Sequence, residues 1–203
     1  LEAIATYDSR DEARRCLAVS YGELASALAL KGQHLGAVML YARAAAVLEA
    51  NNGFYDRCLL ALNQRDAAEV AIVAGSLLDA ERLIKNAREI IEAVSRSTTP
   101  PDLFAGSVTA RILNTDGELA ARRGSGEHAD ELWAQATRRW ETLLSADPTN
   151  KGSALGLAQS LVRQEVIASA KDRARSLELH DRRCRLIAGA LAADAEDARF
   201  RSL

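Results

Sequence analysis

The chain has 203 residues and a formal net charge of −2, with 48% hydrophobic and 27% charged residues. This balance is typical of a globular protein and argues against a disordered chain, and the small net charge gives no reason to expect nucleic acid or an anionic membrane as a partner. No stretch approaches the roughly 18 consecutive apolar residues that a membrane span needs. Aromatic residues make up only 4%, and the abundance of Ala and Leu favours helices.

Apolar residues recur at helical spacing along almost the whole chain, and clusters of Gly, Pro or Asn interrupt them. We predict an all-α protein whose neighbouring helices are antiparallel, because loops of two to six residues are too short to return the chain to the same end. We expect a single domain over 1–203 with a joint near 97–101, where Pro100 ends the preceding helix. The predicted helices are 10–31, 34–51, 54–74, 77–96, 102–123, 127–146, 151–170 and 173–193.

The chain also contains an internal repeat. In the first copy, Gly32 stands in the turn between two helices that cross at the small residues Ala25 and Ala37. The residues that define the first copy are Tyr21, Leu24, Ala25, Leu28, Gly32, Ala37, Tyr41 and Ala44. The second copy keeps these offsets in Gly75, Ala80, Ile84 and Ala87.

A third copy opens at Gly126-Glu127-His128, which matches Gly32-Gln33-His34. It is about one helical turn longer than the pattern. His34 and His128 then occupy the same place, two residues after a turn glycine, and we interpret both as packing residues. A degenerate fourth pair runs from about 155 to 194.

These residues resemble the tetratricopeptide-repeat (TPR) family, which has an aromatic, Leu and a small residue on one helix and a small, an aromatic and a small residue on the next. The resemblance implies a right-handed superhelix of about four antiparallel helix pairs, used as a scaffold for protein binding. It also implies a concave groove lined by the first helix of each pair. The lining residues are Val19, Gly22, Ser26, Ala29 and Leu30 in the first copy, Leu62, Arg65, Asp66 and Glu69 in the second, and Asp116, Ala120 and Arg123 in the third.

Family members that hold the C-terminal carboxylate of chaperones have Lys, Asn and Arg where this chain has Gly22, Ser26 and Leu30. We therefore expect no such clamp, and a first-copy surface suited to an apolar helix or to a second copy of the chain. The sequence contains no phosphate-binding loop, nucleophile elbow or dinucleotide fingerprint, so we predict no catalytic residues and no cofactor.

His180 and Cys184 lie four residues apart on one predicted helix and could in principle face the same metal ion. No second pair of ligands lies nearby in sequence, so we interpret them as helical neighbours and predict no metal site. The three cysteines are odd in number and far apart, which fits a reducing compartment such as the cytoplasm.

The function that these observations favour is a protein-protein interaction module with a protein or peptide partner. Because the chain begins at Leu1 without Met, we expect it to belong to a larger protein. The segment 15–21 resembles repeats fused to bacterial signalling enzymes, which implies a bacterial regulatory or assembly protein. The alternatives are a structural spacer or homodimerisation element beside another domain, and an enzyme or small-ligand sensor that uses the concave face.

Overall fold

The computed structural model describes residues 9–97 and 102–193. Within these two ranges the chain is helical, with no strand, which confirms the all-α prediction. Every helix begins and ends within two residues of its predicted bounds. The eight described helices are α1 (Ser9–Leu30), α2 (His34–Glu49), α3 (Phe54–Val73), α4 (Leu77–Arg96), α5 (Leu103–Arg122), α6 (Gly126–Ala146), α7 (Lys151–Ser169) and α8 (Arg173–Ala193).

The chain divides into two compact units between residues 99 and 100. Unit 1 contains the hairpins α1–α2 and α3–α4, and unit 2 contains α5–α6 and α7–α8. The predicted joint at 97–101, apart from Ser97, lies outside the described residues.

The first three hairpins close on the same kind of turn. Each turn contains one glycine in the left-handed region, Gly32, Gly75 or Gly124, with φ of 75°, 80° and 81°. The residue after each glycine donates its N–H to the carbonyl five residues earlier, with N–O distances of 2.8 to 2.9 Å. This is the Schellman arrangement, which glycine accommodates because it has no Cβ. The hydrogen-bonded pairs are Gln33 with Leu28, Ser76 with Ala71, and Ser125 with Ala120.

The third turn corrects the predicted register of the repeat. Gly124 has the positive φ, whereas Gly126 is the first residue of α6. Counted from Gly124, the third copy matches the others without an extra turn: the ninth residue after the glycine is Tyr41, Ile84 or Trp133, and all three are buried. His128 is therefore not the equivalent of His34. The sequence could not decide, because two glycines flank Ser125 and only the backbone shows which one turns.

The fourth hairpin closes without glycine. The Asp172 N–H donates to the Ala168 carbonyl at 2.7 Å, and the Asp172 carboxylate caps α8 by accepting from the Arg175 N–H at 3.0 Å. Among the residues of α8 whose burial is described (173–189), Leu179 is the buried apolar side chain and Leu186 packs beside it in part. Ion pairs also connect α8 to α6 and α7, among them Arg175 with Asp130 at 2.8 Å and Arg183 with Glu165 at 3.2 Å.

Two tryptophans of α6 organise the core of unit 2. Trp133 and Trp140 are 3% and 1% exposed and lie seven residues apart, on one side of the helix. Trp133 lies against Gly117 of α5, and Trp140 lies against Gly156 of α7; a Cβ at either glycine would come within 2.4 Å of the indole. The absence of a side chain at these two positions is what allows α5 and α7 to pack against α6.

Candidate functional site

The region between α1 and α3 of unit 1 contains the densest group of predicted groove residues. The Tyr41 ring from α2 packs here with Ala25 of α1 and Ala67 of α3, and it is only 4% exposed. Its hydroxyl lies 2.7 Å from the Ser26 hydroxyl. We call this surface the α1–α3 face and define it as Gly22, Ser26, Tyr41, Arg65, Asp66 and Glu69, together with the exposed Leu30, which lies one turn after Ser26 on α1.

Arg65 is the charged centre of the α1–α3 face. Its Nη1 lies 2.5 Å from Asp66 Oδ1, its Nη2 lies 3.2 Å from Glu69 Oε2, and its side chain is 12% exposed. Burial by itself lowers the pKa of Arg65, but the carboxylates of Glu69 and Asp66 outweigh burial and raise the pKa above its usual value. Arg65 is thus a permanently charged side chain that two carboxylates hold in one position.

Tyr41 lies close to this charged cluster. Burial raises the pKa of the Tyr41 phenol above its ordinary value of 10.0; the hydrogen bond with Ser26 acts in the opposite direction, and the Asp66 carboxylate adds to the rise. The hydroxyl therefore stays protonated at neutral pH and can both donate and accept a hydrogen bond.

Gly22 leaves room beside Tyr41. A Cβ at this position would lie 3.3 Å from Asn63 Oδ1 and 4.0 Å from Tyr41 Cε1. Asn63 is itself fixed, because its amide nitrogen donates to the Leu59 carbonyl at 2.9 Å. A small residue is thus required where α1 passes Asn63.

Five of the predicted groove residues lie around Tyr41 in the structure: Gly22, Ser26, Arg65, Asp66 and Glu69. Ala29 is half-buried on α1. Val19 and Leu30 lie on the same stripe of α1 as Ser26 and are 42% and 90% exposed. Leu62 is half-buried on α3.

The three predicted residues of the third copy, Asp116, Ala120 and Arg123, belong to unit 2. Ala120 is buried, with 6% exposure, so the prediction that it lines a surface is wrong. Asp116 is half-buried on α5, and Arg123 is the exposed residue that follows this helix. In the corrected register the equivalents of Gly22 and Ser26 are Asn114 and Glu118.

Asn114 is a polar residue that the sequence analysis missed. It is 3% exposed; its backbone carbonyl accepts the Trp133 indole N–H at 3.0 Å, and its side-chain oxygen accepts from the Ser160 hydroxyl at 2.9 Å. The turn register was the available signal. Counting back from Gly124 instead of Gly126 gives Asn114 the same repeat position as Gly22.

Unit 2 also contains a cavity of about 400 Å³. Its described lining combines apolar side chains, among them Phe104, Trp140 and Leu143, with a single ionisable group, Arg111.

Among the described residues, no cluster of three or more His, Cys, Asp or Glu side chains is arranged to hold a metal ion. None of the described helices is long and apolar enough to cross a membrane. A scan against models of protein families found no matching family, and a search of curated proteins found no match.

Proposed function

We propose that the chain is a protein-interaction module of the TPR-like kind and that it holds a partner segment on the α1–α3 face of unit 1. The support from the fold is the shared register of three hairpins, which places equivalent small and large residues in each. The right-handed superhelix, the bacterial origin and the cytoplasmic location predicted above belong to this proposal, and the module binds without catalysing a reaction.

The observation that carries the proposal is the fixed charged cluster of Arg65, Asp66 and Glu69, with exposed aliphatic side chains at the ends of α1 and α3. Arg is over-represented among residues that dominate binding energy at protein interfaces, especially where its position is fixed before binding. Leu30 and Val73 are the last residues of α1 and α3, stand in equivalent register positions, and are 90% and 60% exposed. The corresponding residue of α5 is the charged Arg122.

The charges of the α1–α3 face indicate the chemistry of the partner. Arg65 contributes +1 and Asp66 and Glu69 contribute −1 each, which leaves the cluster at −1. An apolar segment that also carries Lys or Arg would complement this surface.

The test is a selection of random peptides on immobilised full chain, followed by affinity measurements on the selected peptides. We expect peptides that combine apolar residues with Lys or Arg. Leu30→Asp should weaken their binding at least about tenfold, since it places a charge where an apolar side chain docks.

Leu78→Asp is the matched control. Leu78 is a leucine on α4 with 79% exposure, outside the α1–α3 face, so its replacement should leave binding unchanged. Equal losses for Leu30→Asp and Leu78→Asp, or a selection without enriched peptides, would contradict the proposal. Light scattering on the full chain tests the alternative that a second copy of the chain occupies the α1–α3 face. A dimer that dissociates in the Leu30→Asp variant would support that alternative.

A further inference from the structure

Three side chains of unit 2 form a linked group on α7 and α8. Cys184 and His180 lie one turn apart on α8, with Sγ 3.5 Å from His180 Nε2. The other ring nitrogen, Nδ1, lies 3.0 Å from Glu165 Oε1 on α7. From sequence, His180 and Cys184 are predicted only as helical neighbours, because Glu165 belongs to another helix.

Glu165 occupies a defined position. Its side chain is 22% exposed, and its second oxygen accepts from Arg183 Nε at 3.2 Å, while the Arg183 side chain is 13% exposed. A carboxylate can only accept hydrogen bonds, so Glu165 favours the His180 tautomer that carries hydrogen on Nδ1. In that tautomer the lone pair of Nε2 faces the thiol. Cys184, His180 and Glu165 are therefore arranged as a nucleophile, a base and a group that orients the base.

We propose that Cys184 is a thiol-modification site that reacts with low-molecular-weight disulfides. The Cys184 thiol transfers its proton to His180 Nε2, and Glu165 stabilises the imidazolium that forms. The sulfur then attacks one sulfur of the disulfide, so that a new S–S bond joins Cys184 to one half of the reagent while the original S–S bond breaks. The other half leaves as a thiolate and takes the proton from His180. No further oxidant is consumed.

The chain contains its own controls. All three cysteines are free thiols. Cys16 is exposed, and the described residues give its thiol no hydrogen-bonding or charged partner. Cys58 is 0% exposed. One protein thus offers an exposed thiol with a base, an exposed thiol without one and a buried thiol.

The experiment uses the full chain and glutathione disulfide. Samples are quenched in acid at intervals, and mass spectrometry of proteolytic peptides gives the mixed-disulfide fraction at each cysteine. We expect Cys184 to react about tenfold faster than Cys16, because His180 can accept the thiol proton as the sulfur attacks. Cys58 should stay unmodified.

Two variants test the roles of the neighbours. His180→Ala should reduce the Cys184 rate to that of Cys16, and Glu165→Gln should reduce it in part, with the Cys16 rate unchanged in both. The fluorescence of Trp133 and Trp140, which are buried in the same unit as Cys184, verifies that each variant is folded.

The proposal is overturned if Cys184 reacts no faster than Cys16, or if His180→Ala leaves the Cys184 rate unaltered. Arg183 Nη2 also lies 3.1 Å from His180 Nδ1. If Arg183 donates a hydrogen bond to Nδ1, the hydrogen of the ring lies on Nε2 and the thiol has no base. This tautomer would explain a Cys184 that reacts no faster than Cys16.

Discussion

Asp56, at the start of α3, is a carboxylate with only 2% exposure. It accepts hydrogen bonds from Arg15 of α1, with Nε at 2.7 Å and Nη2 at 3.1 Å, and the Arg15 guanidinium lies 5.3 Å from the centre of the Tyr55 ring. Removing one partner from a buried ion pair costs more than the pair itself contributes, because the other charge stays behind without compensation.

We therefore expect Asp56→Asn to lower the free energy of unfolding by about 2–3 kcal/mol. The value lies at or below the low end of the range for buried pairs, because the Arg15 side chain keeps 19% of its exposure and can be partly hydrated. Urea unfolding followed by circular dichroism measures the change.

Glu89→Gln provides the comparison for this ion pair. Lys85 and Glu89 are 3.9 Å apart with side chains 75% and 64% exposed, so the loss should stay within about 0.5 kcal/mol. If both substitutions lower the free energy of unfolding equally, the Arg15–Asp56 pair stabilises unit 1 no more than an exposed ion pair does.

At the scale of single residues, the repeat register predicts that Arg65 and Glu69 line a groove with Gly22 and Ser26, and this stays a prediction. It could not predict the contact between the hydroxyls of Tyr41 and Ser26, since the repeat pattern assigns Tyr41 to packing and says nothing of where its oxygen ends. The predicted groove residues Asp116 and Arg123 lie two residues out of register, because the prediction counts from Gly126 and the turn glycine is Gly124.

At the scale of helices, unit 2 depends on how closely α7 approaches α6. Gly156 makes this approach possible, because the indole of Trp140 fills the space that a side chain at Gly156 would occupy. An added methyl group has no free space here, and the adjoining side chain is a rigid ring that is 1% exposed.

Gly156→Ala should therefore destabilise unit 2 by about 1–3 kcal/mol, the usual cost of inserting a methyl group into a packed core. The clash outweighs the higher helix propensity of alanine. The urea midpoint of the variant, compared with that of the unaltered chain, measures the loss.

Gly189→Ala separates packing from propensity. Gly189 lies within α8, and nothing stands within 4 Å of a Cβ built on it, so alanine should raise stability by up to about 1 kcal/mol. A loss at Gly189 as large as that at Gly156 would show that the cost does not come from the tryptophan.

Most of the helical architecture could be predicted because two local signals agreed. Apolar residues at helical spacing marked the helices, and clusters of small or polar residues marked the loops between them. The contacts of Gly117 and Gly156 with tryptophan could not be predicted in the same way. A glycine inside a helix looks like a weak point in sequence, and only the position of the neighbouring helix shows that it is a packing requirement.

At the scale of the molecule, the chain consists of two compact units, and different interactions stabilise each of them. Unit 1 combines aliphatic and alanine packing with the Arg15–Asp56 pair, whereas unit 2 combines the two tryptophans with ion pairs to α8. Substitutions in one unit should therefore act mainly on that unit.

Both tryptophans of the chain, Trp133 and Trp140, lie in unit 2. Their fluorescence is thus an optical label for one half of the protein, while circular dichroism reports on the helices of both. We expect Asp56→Asn to lower the urea midpoint seen by dichroism and to leave the fluorescence midpoint in place, and Gly156→Ala to move the fluorescence midpoint. Coincident transitions for both probes in both variants would mean that the two units unfold as one.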